Sequence, residues 1–271
     1  KVGDDNTTNP EFNGYLSNVR AVKGTALYTS DFTAPTEPLT AITNTSLLTC
    51  QDGYFKDNSS NAHAITVNGD PEIAVFTPFG ERSVEFDGSD YLLSTDTSLG
   101  DFGTGDFTVE FWMNSSTTPS GYPVIVGNIT TTNGTWRLSN AHASLGSQLY
   151  WTTYSGGYSD IFTGVNVNDG RWHHIAASRS GTTLRIFIDG VEEASSTVST
   201  NFTSGVDVNI AFDTVGSTYY TGGISNVRIV KGTALYTADF TPPQEPLTAI
   251  TNTSLLTCQN AVFQDNSGNA H

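Results

Sequence analysis

The sequence predicts an antiparallel all-β protein drawn from a tandem array of domains, and three observations carry that prediction. Short apolar runs are bounded throughout by Gly, Asn, Asp and Ser, and almost no stretch shows helical spacing. With 15 Phe, 11 Tyr and 4 Trp in 271 residues, the chain holds enough apolar bulk to build a core without disulfides or metals. The third observation is a repeat. Gly14 to His63 recurs as Gly222 to His271 at an offset of 208 (231 − 23 = 258 − 50 = 208), with 11 differences in 50 positions. That period exceeds any solenoid repeat and has the size of a domain.

Taken in order, residues 1 to 13 read as a loop ahead of a terminal strand, and Gly14 to Val22 alternates in the strand manner. Thr33 to Asn44 carries Pro35 and Pro38 among Thr and Asn, a composition that stiffens a connector and discourages helix. The clearest strands that follow are Ser83 to Phe86, Tyr91 to Ser94, Phe107 to Met113, Val124 to Gly127, Gln148 to Thr153, His173 to Ser178, Leu184 to Ile188 and Val206 to Phe212. Ile224 to Val230 closes the unit. Phe107, Val109, Phe111 and Met113 alternate with Thr108, Glu110 and Trp112, so both faces of that strand are expected to be covered. Asp189-Gly190 is the strongest hairpin signal.

The formal charge of −16 disfavours binding that depends on neutralising phosphates, so nucleic acid is not an expected partner. No run approaches a membrane span in length, so insertion into a bilayer is not expected either. Cys50 and Cys258 occupy the same position of successive repeats, in Ser-Leu-Leu-Thr-Cys, where a free thiol behaves as a small hydrophobe.

Several motifs, in sequence order, resemble the laminin-G-like group of concanavalin A-like lectin and glucanase domains. They are Ser46 to Cys50, Asp57 to His63, Val84 to Leu93 around Phe86-Asp87-Gly88, Asp101 to Trp112, Arg171 to Arg179 with its Trp172-His173-His174, and Leu184 to Val191. The resemblance implies a two-sheet antiparallel jelly-roll sandwich. It also implies a phase: residues 1–44 as the last strands and Pro-rich linker of a preceding repeat, 45–248 as one complete domain, and 249–271 as the opening strand of the next. The phrase Ile224 to Tyr236, with its Leu-Thr-Ala-Ile-Thr-Asn-Thr-Ser linker, is similar to repeats in structural proteins of marine bacteriophages, and large bacterial adhesins are the other setting for such arrays. The expected role is therefore a non-enzymatic structural and adhesive module, on a virion surface or another extracellular array. Its expected partners are glycans or further copies of the same protein.

Glucanases of this superfamily need paired carboxylates on one strand, because one group attacks while another protonates. Here Glu85-Phe-Asp87 lacks the third acid and Glu110 stands alone, so a glycan hydrolase or lyase is an alternative rather than the expectation, as is a spacer with no ligand. His173 and His174 are adjacent, point to opposite faces of a strand and cannot chelate one ion together. His63 reads as a brace for the Asp57 loop. Calcium is the cofactor the resemblance implies, with Asp57, Asn58, Asp87 and Asp90 supplying hard oxygen ligands. Sugar binding needs exposed aromatic faces for pyranose rings. The candidates are Tyr150, Trp151, Tyr154, Tyr158, Trp136, Tyr219 and Tyr220, with Trp136 and Trp151 expected nearer the surface than Trp172.

Overall fold

The computed structural model describes residues 16–33, 35, 39–51, 56–66, 83–117, 120–259 and 263–269. They fall into two compact units, residues 1–75 and 76–271. The expected loop at residues 1–13 and the connector position Pro38 lie outside the described residues.

In the first unit β1 (Val19–Val22) pairs antiparallel with β2 (Thr45–Thr49), Val19 opposite Thr49 and Val22 opposite Thr45. Side chains tie down the segment between them. Asn18 Oδ1 accepts from the Leu39 amide at 2.9 Å and from Gln51 Nε2 at 2.8 Å, and Arg20 Nη1 donates to the Thr40 carbonyl.

The second unit is a sandwich, and among its described residues there is no helix. Its strands are β3 (Val84–Asp87), β4 (Leu92–Leu93), β5 (Phe107–Asn114), β6 (Val124–Gly127), β7 (Thr135–Ser139), β8 (Tyr150–Tyr154), β9 (Tyr158–Phe162), β10 (Trp172–Ser180), β11 (Thr183–Ile188), β12 (Val191–Thr197), β13 (Asn209–Ile210), β14 (Phe212–Asp213), β15 (Thr218–Tyr219), β16 (Thr221–Lys231) and β17 (Thr253–Thr257). One sheet runs β12-β11-β10-β5-β16-β17, with β3 also on β16; the other runs β4-β13-β6-β7-β8-β9. Every pairing is antiparallel. The expected hairpin forms at Asp189-Gly190, both residues at positive φ (50° and 83°), which matches the twist of the flanking strands. Three strands that carry weak sequence signals, β7, β9 and β12, complete the sheets.

The two inner faces meet in a core of alternating apolar residues: Phe107, Val109, Phe111 and Met113 from β5, Ile175 and Ala177 from β10, and Val227 and Ile229 from β16. Against these stand Val126, Trp136, Leu138, Trp151 and Ile210 from the other sheet. Arg179 is fully buried without a carboxylate partner among the described residues. It donates to the carbonyls of Gly103, Gly105 and Thr200, and its guanidinium lies 5.0 and 4.9 Å from the Phe107 and Phe202 rings.

Both faces of β5 are covered, as its composition predicts: Thr108 and Glu110 are as buried as the core positions between them. The cover is the segment after β16. Tyr236 and Phe240 stack at 3.7 Å and pack edge-on against Phe187 and His174, while the Leu235 amide donates to Thr108 Oγ1. Beneath it Glu110 accepts from Arg228 Nε (2.9 Å) and Nη2 (2.6 Å) and from Tyr236 Oη (2.8 Å), and lies 3.2 Å from His174 Nε2. Burial alone would push its carboxyl up, but His174 and Arg228 outweigh that and hold it below the ordinary value.

The two copies of the Thr-Ser-Leu-Leu-Thr strand pair in the same way, each on the Val-Arg strand that precedes it. Thr253–Thr257, read as the opening of a following repeat, is the edge strand on β16, and Thr45–Thr49, read as the opening strand of the central domain, pairs with β1. The compact units divide between residues 75 and 76. In both copies the Val-Arg strand and the Thr-Ser-Leu-Leu-Thr strand are joined by the same hydrogen-bonded segment, the Leu39 and Leu247 amides donating to Asn18 and Asn226. The placing of Trp172 is corrected. It is half-buried, because its register beside Asn114 and Gly223 sets it on the outer face and not in the core.

Replacing Glu110 by Ala leaves Arg228 buried without its counter-charge and is expected to destabilise the chain by about 3–5 kcal/mol. Tyr236→Phe removes one hydrogen bond to a charged acceptor and should cost about 1.5–3 kcal/mol. Urea unfolding followed by Trp fluorescence checks both; equal losses in the two variants would contradict the clamp.

Candidate functional site

Register across the six-stranded sheet aligns one residue from every strand on its outer face: Leu93, Asn209, Gly127, Arg137, Thr152 and Asp160, each opposite the next. Two residues along lies the row Val124, Ser139, Tyr150 and Phe162, and on the other side Thr135, Tyr154 and Tyr158. Alternation generates this face. In Thr-Trp-Arg-Leu-Ser, Trp136 and Leu138 enter the core and Arg137 must point the other way. Gly127 is required beside it, since a Cβ there would stand 2.6 Å from the Trp136 carbonyl and 2.8 Å from Arg137 Cβ.

Arg137 is the hub. Its Nε donates to Thr152 Oγ1 at 3.2 Å, and Thr152 in turn donates to Asp160 Oδ1 at 2.6 Å. Its Nη1 lies 3.4 Å from Asp213 Oδ2, and Asp213 is itself held by the amides of Val215 and Gly216. The guanidinium sits 5.2, 5.9 and 6.0 Å from the ring centroids of Tyr122, Tyr150 and Tyr158. His142 packs edge-on against Tyr122, Tyr150 and Phe162, fixing that side of the face. Burial pushes the Tyr150 phenol up to about 12, with Arg137 and the Ser139 hydroxyl opposing only in part, so it is neutral at physiological pH. Tyr158 stays 49% exposed above Tyr154, and Tyr91 stays 45% exposed on a cluster with Phe212 and Tyr219.

The aromatic residues expected to bind sugar divide between surface and core. Tyr154, Tyr158 and Tyr219 reach the surface. Trp136, Trp151, Tyr150 and Tyr220 do not, and the expected partial exposure of the two tryptophans is corrected. Those indoles stack at 5.0 Å inside the sandwich, their N–H groups donating to the Gly100 carbonyl and to Thr153 Oγ1. Tyr220 donates to the Asn114 and Gly223 carbonyls from a fully buried position. The sequence reading missed Arg137, Tyr122, Tyr91, His142, Asp160 and Asp213. Period-two alternation through Trp136 and Leu138 would have exposed Arg137; loop residues such as Tyr122 and Asp213 carry no comparable signal.

The expected calcium ligands come from two loops. Asp57 and Asn58 belong to the first unit and Asp87 and Asp90 to the second. Asp57 already accepts from the amides of Leu48, Ser59 and His63 and from the Ser59 hydroxyl. Burial opposes these bonds, but together they hold its carboxyl far below the ordinary range. His63 thus braces the loop, through its backbone amide. Asp87 accepts from the amide and hydroxyl of Ser89 in an ordinary Asx turn. Among the described residues no three His, Cys, Asp or Glu side chains are grouped to hold a metal ion.

Residues 86–238, more than half the chain, match the model of a family described as the concanavalin A-like lectin/glucanases superfamily. Among solved structures, the chain is similar to domain 4 of AbnA, a GH43 extracellular arabinanase from Geobacillus stearothermophilus, in complex with arabinotriose. That likeness has 17% identity and a TM-score of 0.47, covering 56% of this chain and 71% of that one. Domains LG4-5 of the mouse laminin alpha1 chain give 14% identity and a TM-score of 0.44, covering 60% and 45%. The CBM40 of the Ruminococcus gnavus IT-sialidase bound to alpha2,3 sialyllactose gives 9% and 0.46, covering 58% and 92%. No curated protein sequence matches the chain.

A titratable cluster elsewhere has a calculable consequence. His173 bridges Asp189 (2.7 Å) and Asp169 (3.0 Å); the Asp189 bond and then Asp169 raise its pKa against the opposing effect of burial. Burial pushes both aspartates up, but their hydrogen bonds outweigh it and leave them depressed. The histidine's contribution to stability is therefore complete below about pH 6.5 and lost as pH rises through its raised folded value. The aspartates' contribution is present above about pH 4 and lost as pH falls through theirs. Melting temperature should decline from pH 6 toward pH 8.5, and His173→Gln should flatten that decline; an unchanged slope in the variant would remove the assignment.

Proposed function

Since the chain belongs to the concanavalin A-like lectin/glucanase superfamily, we propose that it is a non-catalytic glycan-binding module whose binding face is the outer surface of the six-stranded sheet around Arg137. The observation that carries this reading is the Arg137 cluster itself. A guanidinium is fixed by Thr152 and Asp213 and ringed by three tyrosines, one of them half exposed. Aromatic faces take the C–H surfaces of pyranose rings, while fixed donors and acceptors take the hydroxyls. Asp160, only partly buried and oriented by the Thr152–Arg137 chain beneath it, supplies the second kind of group, and Tyr158, with Tyr154 beside it, the first.

A binding role suits the state of the acids on this face. Asp213 is committed to Arg137 and two backbone amides, and Asp160 to Thr152, which orients both as acceptors. Glu110 is consumed in the clamp beneath Tyr236. The sequence repeat supports a place in a multivalent array, on a virion or another extracellular surface, where linked weak sites gain from effective concentration.

A glycan array with neutral and acidic members tests the proposal. Tyr158→Ala should weaken any positive signal about tenfold and Arg137→Ala by more, with melting temperature confirming that each variant is folded. An array that is flat for the native chain, or a signal untouched by both substitutions, would overturn it. Repeating the array in chelator tests the calcium expectation separately, because every group invoked above is a protein side chain.

A further inference from the structure

The two copies of the repeat form the same local structure, but only one of them is covered. Asn18 and Asn226 donate their amides to the carbonyls of Cys50 and Cys258, and Lys23 and Lys231 theirs to Asn44 and Asn252. Arg20 and Arg228 donate to Thr40 and Thr248, and Gln51 and Gln259 hold the Leu39 and Leu247 carbonyls. The stacked ring pair recurs as well: Tyr28 on Phe32 at 3.8 Å, Tyr236 on Phe240 at 3.7 Å.

What differs is the other side of each copy. The edge of β16 away from β17 pairs with β5, Arg228 opposite Glu110 and Val230 opposite Thr108; the corresponding edge of β1 pairs with no strand among the described residues. Arg228 gives Nε and Nη2 to Glu110, whereas Arg20 donates to Thr40 alone among the described residues. Tyr236 and Phe240 pack on His174 and Phe187, whereas Tyr28 and Phe32 are 50% and 56% exposed. Leu16, equivalent to the buried core residue Ile224, is 44% exposed.

We propose that residues 16–51 are a docking module that closes the sandwich of another copy of this repeat, entering it as the β16–β17 pair enters the sandwich of residues 76–271. The second sandwich would offer its equivalents of β5 for the β1 edge, of Glu110 for Arg20, and of His174 and Phe187 for the Tyr28–Phe32 stack. Each demand of the bare surface is met by a group already seen in that role within this chain, which identifies the occupant by chemistry. Residues 16–51 differ from 224–259 at five positions, and the one that changes core volume most is Ala21. Ala21 stands where Ile229 fills the core, so the module leaves a space three carbons wide in a sandwich identical to this one.

The test extends the chain in the phase of the repeat. A second copy of residues 76–221 is placed directly before Gly14 and the remainder left intact; a control chain carries a second copy of residues 76–259 before the full sequence, so that its added sandwich is already closed. Hydrogen exchange by mass spectrometry reads the amides of Val19–Val22, with Val227–Val230 as the internal reference. Exchange at Val19–Val22 should slow about a hundredfold or more in the first chain and stay at its native rate in the control. Arg20→Ala should reverse most of that protection, and Ala21→Ile should increase it. Should the module stay unprotected in the first chain even with Ala21→Ile, or gain equal protection in the control, the proposal is overturned.

Discussion

The sandwich depends on one buried carboxylate. Glu110 lies in the centre of β5 with no exposure, a placement that is expensive unless the charge is compensated at close range. Three donors from three separate elements provide that: Arg228 from β16, His174 from β10 and Tyr236 from the covering segment. The acid thereby joins the middle of the seven-stranded sheet to the chain that crosses it. Without Tyr236 and Phe240 in place, Phe187 and the outer side of β5 would face water. The sequence spacing supplies both halves, since Arg228 and Tyr236 sit on either side of the turn at Lys231-Gly232.

The other buried arginine is accommodated by different means. Arg179 is hydrogen-bonded to no carboxylate among the described residues; burial lowers its pKa against the nearby charge of Asp106, and three carbonyls with two aromatic faces hold the cation where the loop at 103–105 meets the one at 200–202. Carbonyls and rings give a cation directional partners without a second desolvated charge, which suits a site that pins loops. Arg137, the third, has both kinds of partner, an aspartate and three tyrosine rings.

Much of the fold was legible because period-two alternation and turn chemistry are local signals. β5, β10, β11 and the Asp189-Gly190 turn could be read directly, since Phe107 to Met113 and Leu184 to Ile188 have unambiguous faces. The strand Thr135–Ser139 was not legible: five residues with a Trp, an Arg and two hydroxyls carry no propensity signal strong enough to separate strand from loop. Missing it hid the site, because Arg137 gains its surroundings only through register with β6 and β8. The tryptophans misled for a related reason. A Trp beside polar residues looks exposed in sequence, yet Trp136 and Trp151 find hydrogen-bond partners inside the core, so their indole N–H groups do not require water. The domain phase is the feature least legible in sequence, because two identical Thr-Ser-Leu-Leu-Thr strands serve two nearly identical edges, and a linear sequence does not state which sandwich each one completes.

The two sheets of the sandwich carry separate tasks. The clamp, the covering segment and the edge on β16 all lie on the seven-stranded sheet; Arg137, Tyr158 and Asp160 lie on the outer face of the six-stranded one, across the core. A repeat that closes through one sheet therefore leaves the other free, and joining copies end to end does not consume the face proposed for ligand. The constraint runs the other way as well. Substitutions at Tyr122, Tyr158 or Asp160 change the chemistry offered to a ligand without touching Glu110 or its donors, so the binding face can diverge between copies while the closing module stays as uniform as Gly14–His63 and Gly222–His271 are here.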